Sequence, residues 1–246
     1  MSDRVKTASW GLAVYAGTRV IGSVLESASL ASTIAQAVLA EWGTGRLGVT
    51  WSDPDVYRDP PTATEMAKRA ARGAVAGLVP AAAVVALLVA THGVILERSA
   101  ATAASLGVAI VGAAVTSMRD ELVLHGVIFR MMLGEKAWMK AIACGVTSGA
   151  AAIGEKASVR AVVVQALLGV VFGALWGRDK GAWMAWGAHT AWLMGTSLVL
   201  AGGFYSASNA ATSWGGGNAG PLGGDAAILA LIPFAIVAVA SGRKTT

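Results

Sequence analysis

Residues 73–90 read GAVAGLVPAAAVVALLVA, a stretch without a charged side chain that is rich in alanine, valine and leucine. A helix needs about 20 apolar residues to cross the hydrocarbon core of a bilayer, and this stretch approaches that length. Comparable runs cover residues 9–39, 99–118, 141–154, 161–176, 181–200 and 226–241. The pattern predicts a polytopic transmembrane helix bundle with about seven spans, within a range of roughly six to eight.

The composition favours an all-α membrane bundle over a soluble fold or a β-barrel. Hydrophobic residues make up 55% and charged residues 13% of the 246 residues, and the mean hydropathy is +0.63. An average soluble domain carries about 25% charged residues. The apolar excess comes mainly from Ala, Val, Leu and 31 Gly, and small residues of this kind let helices approach closely in lipid.

The whole chain, residues 1–246, is interpreted as a single membrane domain with two polar connections. Residues 40–72 contain Asp-Pro and Pro-Pro breakers and the basic side chains Lys68, Arg69 and Arg72, which indicates a loop that could carry a short helix near its end. Residues 201–224 contain a Gly-Gly-Gly run and no charged residue, which predicts a flexible glycine-rich loop. Arg19 and Glu26 interrupt the first apolar run, seven residues apart and so on one helical face, where they could pair through the bundle interior. Both a spanning helix and a long interfacial helix are compatible with this run.

The net charge of +5 does not indicate a nucleic-acid partner. Lys and Arg lie at the ends of apolar runs and form no stripe with interleaved aromatic residues. The positive-inside rule explains this placement as membrane orientation. Cys144 is the only cysteine, which excludes an intrachain disulfide and a cysteine-based metal site. The expected contacts are therefore with membrane lipid and membrane proteins.

The densest ionisable group beside an apolar run contains Asp120, Glu121 and His125, preceded by Arg119. Charges inside a membrane are costly, so such a group is a functional hypothesis by default. On a continuous helix, Glu121 and His125 share a face, with Asp120 beside them. A carboxylate beside an imidazole suits general-base work on a water, or metal binding. The alternative is an ion-pair patch at a helix end, with His125 as an interior packing residue.

Two further candidates lie later in the chain. His189 is the only ionisable residue in residues 181–200, although a lone membrane histidine is more often a hydrogen-bonded packing residue. Glu155 precedes Lys156 and is, taken alone, typical of a solvated helix end. If these residues act together, Asp120, Glu121, His125 and His189 should converge on one polar cavity inside the bundle.

The three sites resemble the degraded motifs of the CPBP family (CAAX protease / Abi, bacteriocin-processing), which are glutamic-type intramembrane proteases. The family motif Glu-Glu-x-x-x-Arg-Gly is matched in register by DELVLHG at residues 120–126. Residues 165–176 and 187–189 resemble the later family helices. The resemblance covers a core from residue 99 to residue 200 and implies a divergent member.

The departures from the family pattern affect each motif. Asp120 stands where the family has the Glu that activates water, and His125 replaces the Arg. The motif Phe-x-x-x-His has no clear counterpart, and the nearest register puts Ala151 at its Phe position and Glu155 at its His position. The motif His-x-x-x-Asn keeps His189 but has Leu193 at its Asn position.

The resemblance implies a catalytic site without a cofactor. Asp120, with Glu121 or Glu155, would hold and deprotonate the water, while His125 and His189 polarise the peptide carbonyl. A minor alternative is Zn²⁺ held by Glu121, His125, His189 and Glu155, since zinc accepts oxygen and nitrogen ligands.

The implied activity is that of an intramembrane endopeptidase on membrane-associated, tail-anchored or lipidated protein substrates, in maturation, immunity or surface sorting. The altered motifs leave open a catalytically inactive family member that binds a membrane partner or a substrate. A transporter is a third reading, but no internal repeat supports it. The expected location is the bacterial inner (plasma) membrane.

Overall fold

The computed structural model describes residues 3–26, 29–54, 56–57, 59–209 and 212–243, and it is predominantly helical. The helices are α1 (Asp3–Val24), α2 (Ser29–Gly45), α3 (Ala63–Ala90), α4 (Ala103–Asp120), α5 (Val127–Met131), α6 (Ala137–Gly154), α7 (Val159–Asp179), α8 (Trp183–Leu200) and α9 (Asp225–Arg243). A π-helical turn, Glu121–Gly126, joins α4 to α5, and two short 3₁₀ helices, Gly217–Ala219 and Pro221–Gly223, precede α9. The expected all-α bundle is confirmed.

The helices pack in pairs around one apolar core. α6 lies along α7 and α3 along α8, while α9 packs against both α7 and α3. Leu88, Phe172, Trp192 and Leu231 are buried in the largest apolar cluster, which α3, α7, α8 and α9 share. α1 and α2 form a further pair that contacts α4 and the π turn. The π turn is therefore held between the α1–α2 pair and the rest of the bundle.

Three helices of the described residues, α3, α7 and α9, are long and apolar enough to cross a membrane. Each exposes large apolar side chains, among them Val79, Val163 and Ile236. Such side chains are stable on the outside of a bundle where lipid surrounds it. The protein is thus an integral membrane protein, and the number of seven spans stays a prediction.

The first apolar run, residues 9–39, forms two helices and not one. α1 ends at Val24 and α2 begins at Ser29, while residues 27–28 lie outside the described part of the chain. The two helices pack against each other, so the chain reverses near Glu26. The expected pair of Arg19 with Glu26 is wrong, since Arg19 forms an ion pair with Glu155.

The polar loop is shorter than the predicted 40–72. α2 extends to Gly45 and α3 begins at Ala63, which leaves a connection over 46–62, of which residues 55 and 58 are not described. A capping box explains the early start of α3: Glu65 N donates to Thr62 Oγ1 at 3.3 Å, and Thr62 N donates to the Glu65 carboxylate at 2.8 Å. Thr-x-x-Glu is a local sequence signal for a helix start.

The glycine-rich segment 201–224 contains a strand that the sequence does not predict. β1 (Val94–Arg98) and β2 (Tyr205–Asn209) pair antiparallel, with Val94 opposite Asn209 and Arg98 opposite Tyr205. β1 follows α3 and β2 follows α8, so the small sheet extends the α3–α8 pair. Residues 210–211 of this segment lie outside the described residues.

Glycines determine how closely α3 approaches α8. A Cβ at Gly77 would overlap the backbone carbonyl of Ala188, and backbone atoms cannot move aside as a flexible side chain can. We expect Gly77→Ala to lower the free energy of unfolding by about 1–3 kcal/mol, seen as a lower Tm in detergent. Gly107→Ala is the control, because a Cβ there meets nothing within 4 Å. Equal Tm values for the two variants would contradict this account of the packing.

Candidate active site

The helix that runs from α4 through the π turn carries the first site residues. Glu121 and His125 lie in the π turn and are 0% and 1% exposed, respectively. π-helical turns are frequent at functional sites, because the wider turn re-aims side chains without breaking the helix. Glu121 is fully buried and so does not belong to a surface patch. The other parts of that alternative are present in the structure, since Arg119 pairs with Asp120 and His125 is a buried, hydrogen-bonded residue.

Glu121 lies between two histidines. Its Oε2 is 2.8 Å from Nδ1 of His125, and its Oε1 is 3.0 Å from Nδ1 of His189 on α8. An ionised carboxylate only accepts hydrogen bonds, so Nδ1 of each ring donates and Nε2 of each ring remains an acceptor. One carboxylate thus sets the tautomer of both imidazoles.

The two Nε2 atoms have different surroundings. Nε2 of His125 is 3.1 Å from Oγ of Ser148 on α6. Nε2 of His189 has no hydrogen-bond partner among the described residues, and His189 lines a cavity. The His189 ring stacks on Phe172, with centroids 4.6 Å apart and an interplanar angle of 18°. His189 is therefore an oriented imidazole with an unpaired acceptor at the cavity wall.

The cavity has a volume of ≈ 240 Å³, enough for several water molecules. Its polar lining includes Asp120, His125, Ser148, Glu155, Gln165 and His189, together with Thr116 and Arg119 of α4 and groups from α1. Its apolar lining includes Leu124, Leu168, Phe172, Trp192 and Leu193. The site therefore combines polar groups that can hold water with apolar walls that can hold a hydrophobic chain.

Asp120 reaches the same cavity but forms no hydrogen bond with either histidine. Its Oδ1 accepts from Nε of Arg119 at 2.7 Å. Arg119 also donates to Oε1 of Gln36 on α2, at 2.7 Å. The side chain of Asp120 is 21% exposed. Asp120 is thus placed at the cavity wall as half of an ion pair, and its role as the water-activating carboxylate stays a prediction.

Glu155 lies at the rim of the cavity. Its side chain is 48% exposed and forms an ion pair with Arg19 of α1. This contact ties the end of α6 to α1 beside the cavity. The structure therefore brings together Glu121, His125 and His189 in one hydrogen-bonded network, and places Asp120 and Glu155 along the same cavity, each beside an arginine.

The zinc alternative gains no support from this donor set. Both oxygens of Glu121 accept from histidine N–H groups and do not point at a common ion. Within the residues described, no group of three or more His, Cys, Asp and Glu side chains is arranged to hold a metal ion.

Ser148 and Phe172 are site residues that sequence reasoning missed. Ser148 lies in a run of small residues on α6, 23 positions after His125, and no motif marks it. Phe172 is one apolar residue among many on α7. Only the packing of α6 and α7 against the π turn brings them to the histidines, so spacing along the chain carries no signal for either.

Residues 102–194 match the family model described as "Type II CAAX prenyl endopeptidase Rce1-like". No curated protein and no solved structure matches the chain. The matched segment runs from the start of α4 into α8 and contains Glu121, His125, Ser148 and His189. The resemblance to the CPBP family is confirmed over residues 102–194, which are similar to the Rce1-like type II CAAX prenyl endopeptidases.

Proposed function

We propose that the protein is a divergent intramembrane endopeptidase that hydrolyses a peptide bond in membrane-associated or tail-anchored protein substrates. The observation that carries this proposal is the Glu121 carboxylate, which accepts from both His125 and His189 at the wall of a cavity. A fully buried carboxylate that orients two imidazoles is costly to build, and functional sites are where such groups concentrate.

The chemistry follows from the free nitrogen of His189. Nε2 takes a proton from a cavity water, whose oxygen attacks the acyl carbon, and the same imidazole returns the proton to the group that leaves. Glu121 holds the Nδ1–H tautomer and stabilises the imidazolium while it exists. A positioned general base of this kind contributes about 10²–10⁴-fold in rate. Asp120 and Glu155 would hold water or substrate polar groups at the same cavity.

The apolar lining supports a hydrophobic substrate. Leu168, Trp192 and Leu193 line the cavity beside the histidines, and the matched family model describes prenyl endopeptidases. We infer substrates with a membrane-embedded or lipidated tail, processed during maturation, immunity or surface sorting, and a location in the bacterial inner (plasma) membrane.

The test is cleavage of a panel of tail-anchored and lipidated membrane proteins in cells that produce this chain. We expect His189→Asn to lower cleavage by about 100-fold, because asparagine supplies no base at the position of Nε2. His92→Asn is the matched control, since His92 lies between α3 and β1, outside the cavity. Cleavage that is unchanged in His189→Asn, or absent from the whole panel with wild type, contradicts the proposal.

A catalytically inactive binding protein is the second candidate, favoured by a specific observation. Leu193 occupies the cavity wall where the family pattern has Asn, and the carboxylate of Asp120 is engaged by Arg119. Such a protein would bind a membrane partner or substrate through the same cavity without cutting it. In that case, a partner would co-purify equally with wild type and His189→Asn, and no cleavage product would appear with either.

A further inference from the structure

The Ser148 hydroxyl begins a chain of three hydrogen-bonded side chains that joins α6 to the π turn. Oγ of Ser148 on α6 is 3.1 Å from Nε2 of His125, and Nδ1 of His125 is 2.8 Å from Oε2 of Glu121. A nucleophile within about 2.6–3.2 Å of a base, with that base oriented by a third group, is the geometric signature of covalent catalysis. The order is hydroxyl, imidazole and carboxylate, as in a Ser-His-acid triad.

The hydroxyl of Ser148 avoids the bond that helical hydroxyls ordinarily make. In helix interiors, Ser and Thr often donate to a carbonyl three or four residues earlier. Thr147, Thr196 and Ser197 of this protein all do so. Ser148 has His125 as its hydrogen-bond partner among the described residues. In a neutral His125 ring whose Nδ1 donates to Glu121, Nε2 is the acceptor, and the Ser148 hydroxyl donates its proton to it.

Burial increases from the hydroxyl to the carboxylate. Ser148 is 8% exposed and lines the cavity, His125 is 1% exposed, and Glu121 is 0% exposed. A substrate in the cavity can thus contact both Ser148 and His125, with the positioning carboxylate of Glu121 behind them. Gly169 on α7 leaves room for this hydroxyl, since a Cβ there would lie 2.5 Å from Ser148 Oγ.

We propose that Ser148 is a covalent nucleophile, with His125 as its general base and Glu121 as the residue that positions His125. The proposal deepens the endopeptidase function proposed above and rests on it for the identity of the substrate. It assigns separate tasks to the two histidines: His125 serves the acylation of Ser148, and His189 serves the water that completes hydrolysis.

Acylation begins when Oγ of Ser148 attacks the acyl carbon of the substrate and its proton moves to Nε2 of His125. The C–N bond of the resulting tetrahedral intermediate breaks, the leaving nitrogen takes the proton from His125, and an ester on Ser148 remains. The side-chain amide of Gln165 lines the same cavity and has no hydrogen-bond partner among the described residues, so it is available to donate to the oxyanion.

Deacylation restores the starting state. A water gives its proton to Nε2 of His189 while its oxygen attacks the ester carbon. The ester C–O bond then breaks, the proton returns to Oγ of Ser148, and the substrate leaves as a carboxylic acid. No oxidant, reductant or metal ion enters the balance, and the net reaction is the addition of one water across the bond that is cut.

The first test is labelling of the purified full-length protein with a fluorophosphonate, which reacts with activated serines. Mass spectrometry should find the adduct on Ser148 in wild type and no adduct at this position in Ser148→Ala. His125→Ala should label at least about 10-fold more slowly, because the base is gone. Ser197→Ala is the matched control and should label as wild type does. An adduct that is absent from Ser148, or independent of His125, overturns the proposal.

A cysteine variant keeps the test valid if His125→Ala fails to fold. Ser148→Cys, made with Cys144→Ala so that no other thiol is present, should react with iodoacetamide at least about 10-fold faster than Ser197→Cys in the same background, because an adjacent base favours the thiolate. Reaction of the two thiols at the same rate would count against a base at His125.

The cleavage assay separates this proposal from the endopeptidase function. If Ser148→Ala cuts as wild type does while His189→Asn does not, the endopeptidase function stands and the serine nucleophile is refuted. If Ser148 of wild type carries the fluorophosphonate adduct and no protein of the panel is cut, the nucleophile stands and the endopeptidase function fails. Loss of cleavage in both variants supports both proposals.

Discussion

Replacement of Glu121 by glutamine is expected to lower cleavage by about 10³–10⁴-fold while the helix bundle stays folded. The carboxylate accepts from Nδ1 of His125 with one oxygen and from Nδ1 of His189 with the other. A glutamine side chain has one carbonyl oxygen, and its NH₂ group donates. One of the two histidines must then accept at Nδ1, which moves its proton to Nε2 and removes its basic nitrogen from the cavity.

The measurement is the rate of cleavage and the KM for the best substrate of the panel. A loss confined to kcat would indicate an effect on chemistry, whereas a rise in KM alone would indicate lost binding. Glu97→Gln is the matched control, because Glu97 lies exposed in β1. Wild-type rates in Glu121→Gln would refute the role of the shared carboxylate. Far-UV circular dichroism and Tm of both variants report whether the fold is kept.

The helices and the first contact of the site could be predicted from the sequence for simple physical reasons. Uncharged runs such as residues 73–90 predict membrane helices, because the cost of burying charge in lipid dominates local preferences. The contact of Glu121 with His125 follows from helical spacing, which the π turn preserves. The sequence predicts the contact of Glu121 with His189 only through the expectation that Asp120, Glu121, His125 and His189 converge on one cavity. No local rule links the π turn to α8.

The features that the sequence did not predict depend on what each side chain meets after folding. Arg19 lies in an apolar run, and its partner Glu155 directly follows α6 and is not on its own helix. The sequence does not distinguish Ser148 from the other small residues of α6. Its contact with His125 forms only when α6 packs on the π turn. No proline or glycine pair marks the split of residues 9–39 into α1 and α2. The polar loop ends before residue 72 because the Thr62–Glu65 capping box starts α3 at Ala63.

Arg69 is the clearest case of a residue whose role tertiary structure decides. The sequence groups it with Lys68 and Arg72 as loop charge, yet Arg69 is 8% exposed and lies in the buried part of α3. Its Nε and Nη2 donate to the two carboxylate oxygens of Asp179, at 2.8 and 2.7 Å, and Nη2 also donates to the Asp179 carbonyl. Nη1 donates to Ser52 of the polar loop at 2.9 Å.

This ion pair joins three parts of the chain at the end of the bundle. Asp179 ends α7, and its carboxylate also accepts from the backbone N–H of Met184 in the first turn of α8, at 3.2 Å. The guanidinium lies over the ring of Tyr57, 4.5 Å from its centroid. The start of α3, the polar loop and the α7–α8 connection are therefore held by a single buried side chain.

Arg69→Ala is expected to lower the free energy of unfolding by about 3–5 kcal/mol, because it leaves Asp179 buried and unpaired. Arg72→Ala is the matched control, since Arg72 is exposed one turn further along α3, and we expect a change below about 0.5 kcal/mol there. Denaturant or thermal unfolding in detergent measures both.

The double variant Arg69→Met with Asp179→Leu should recover part of the loss, because no charge is then left without a partner. If Arg69→Ala unfolds with the same midpoint as Arg72→Ala, the ion pair does not hold this end of the bundle, and the packing of α3 on α8 through Gly73 and Gly77 must do so instead.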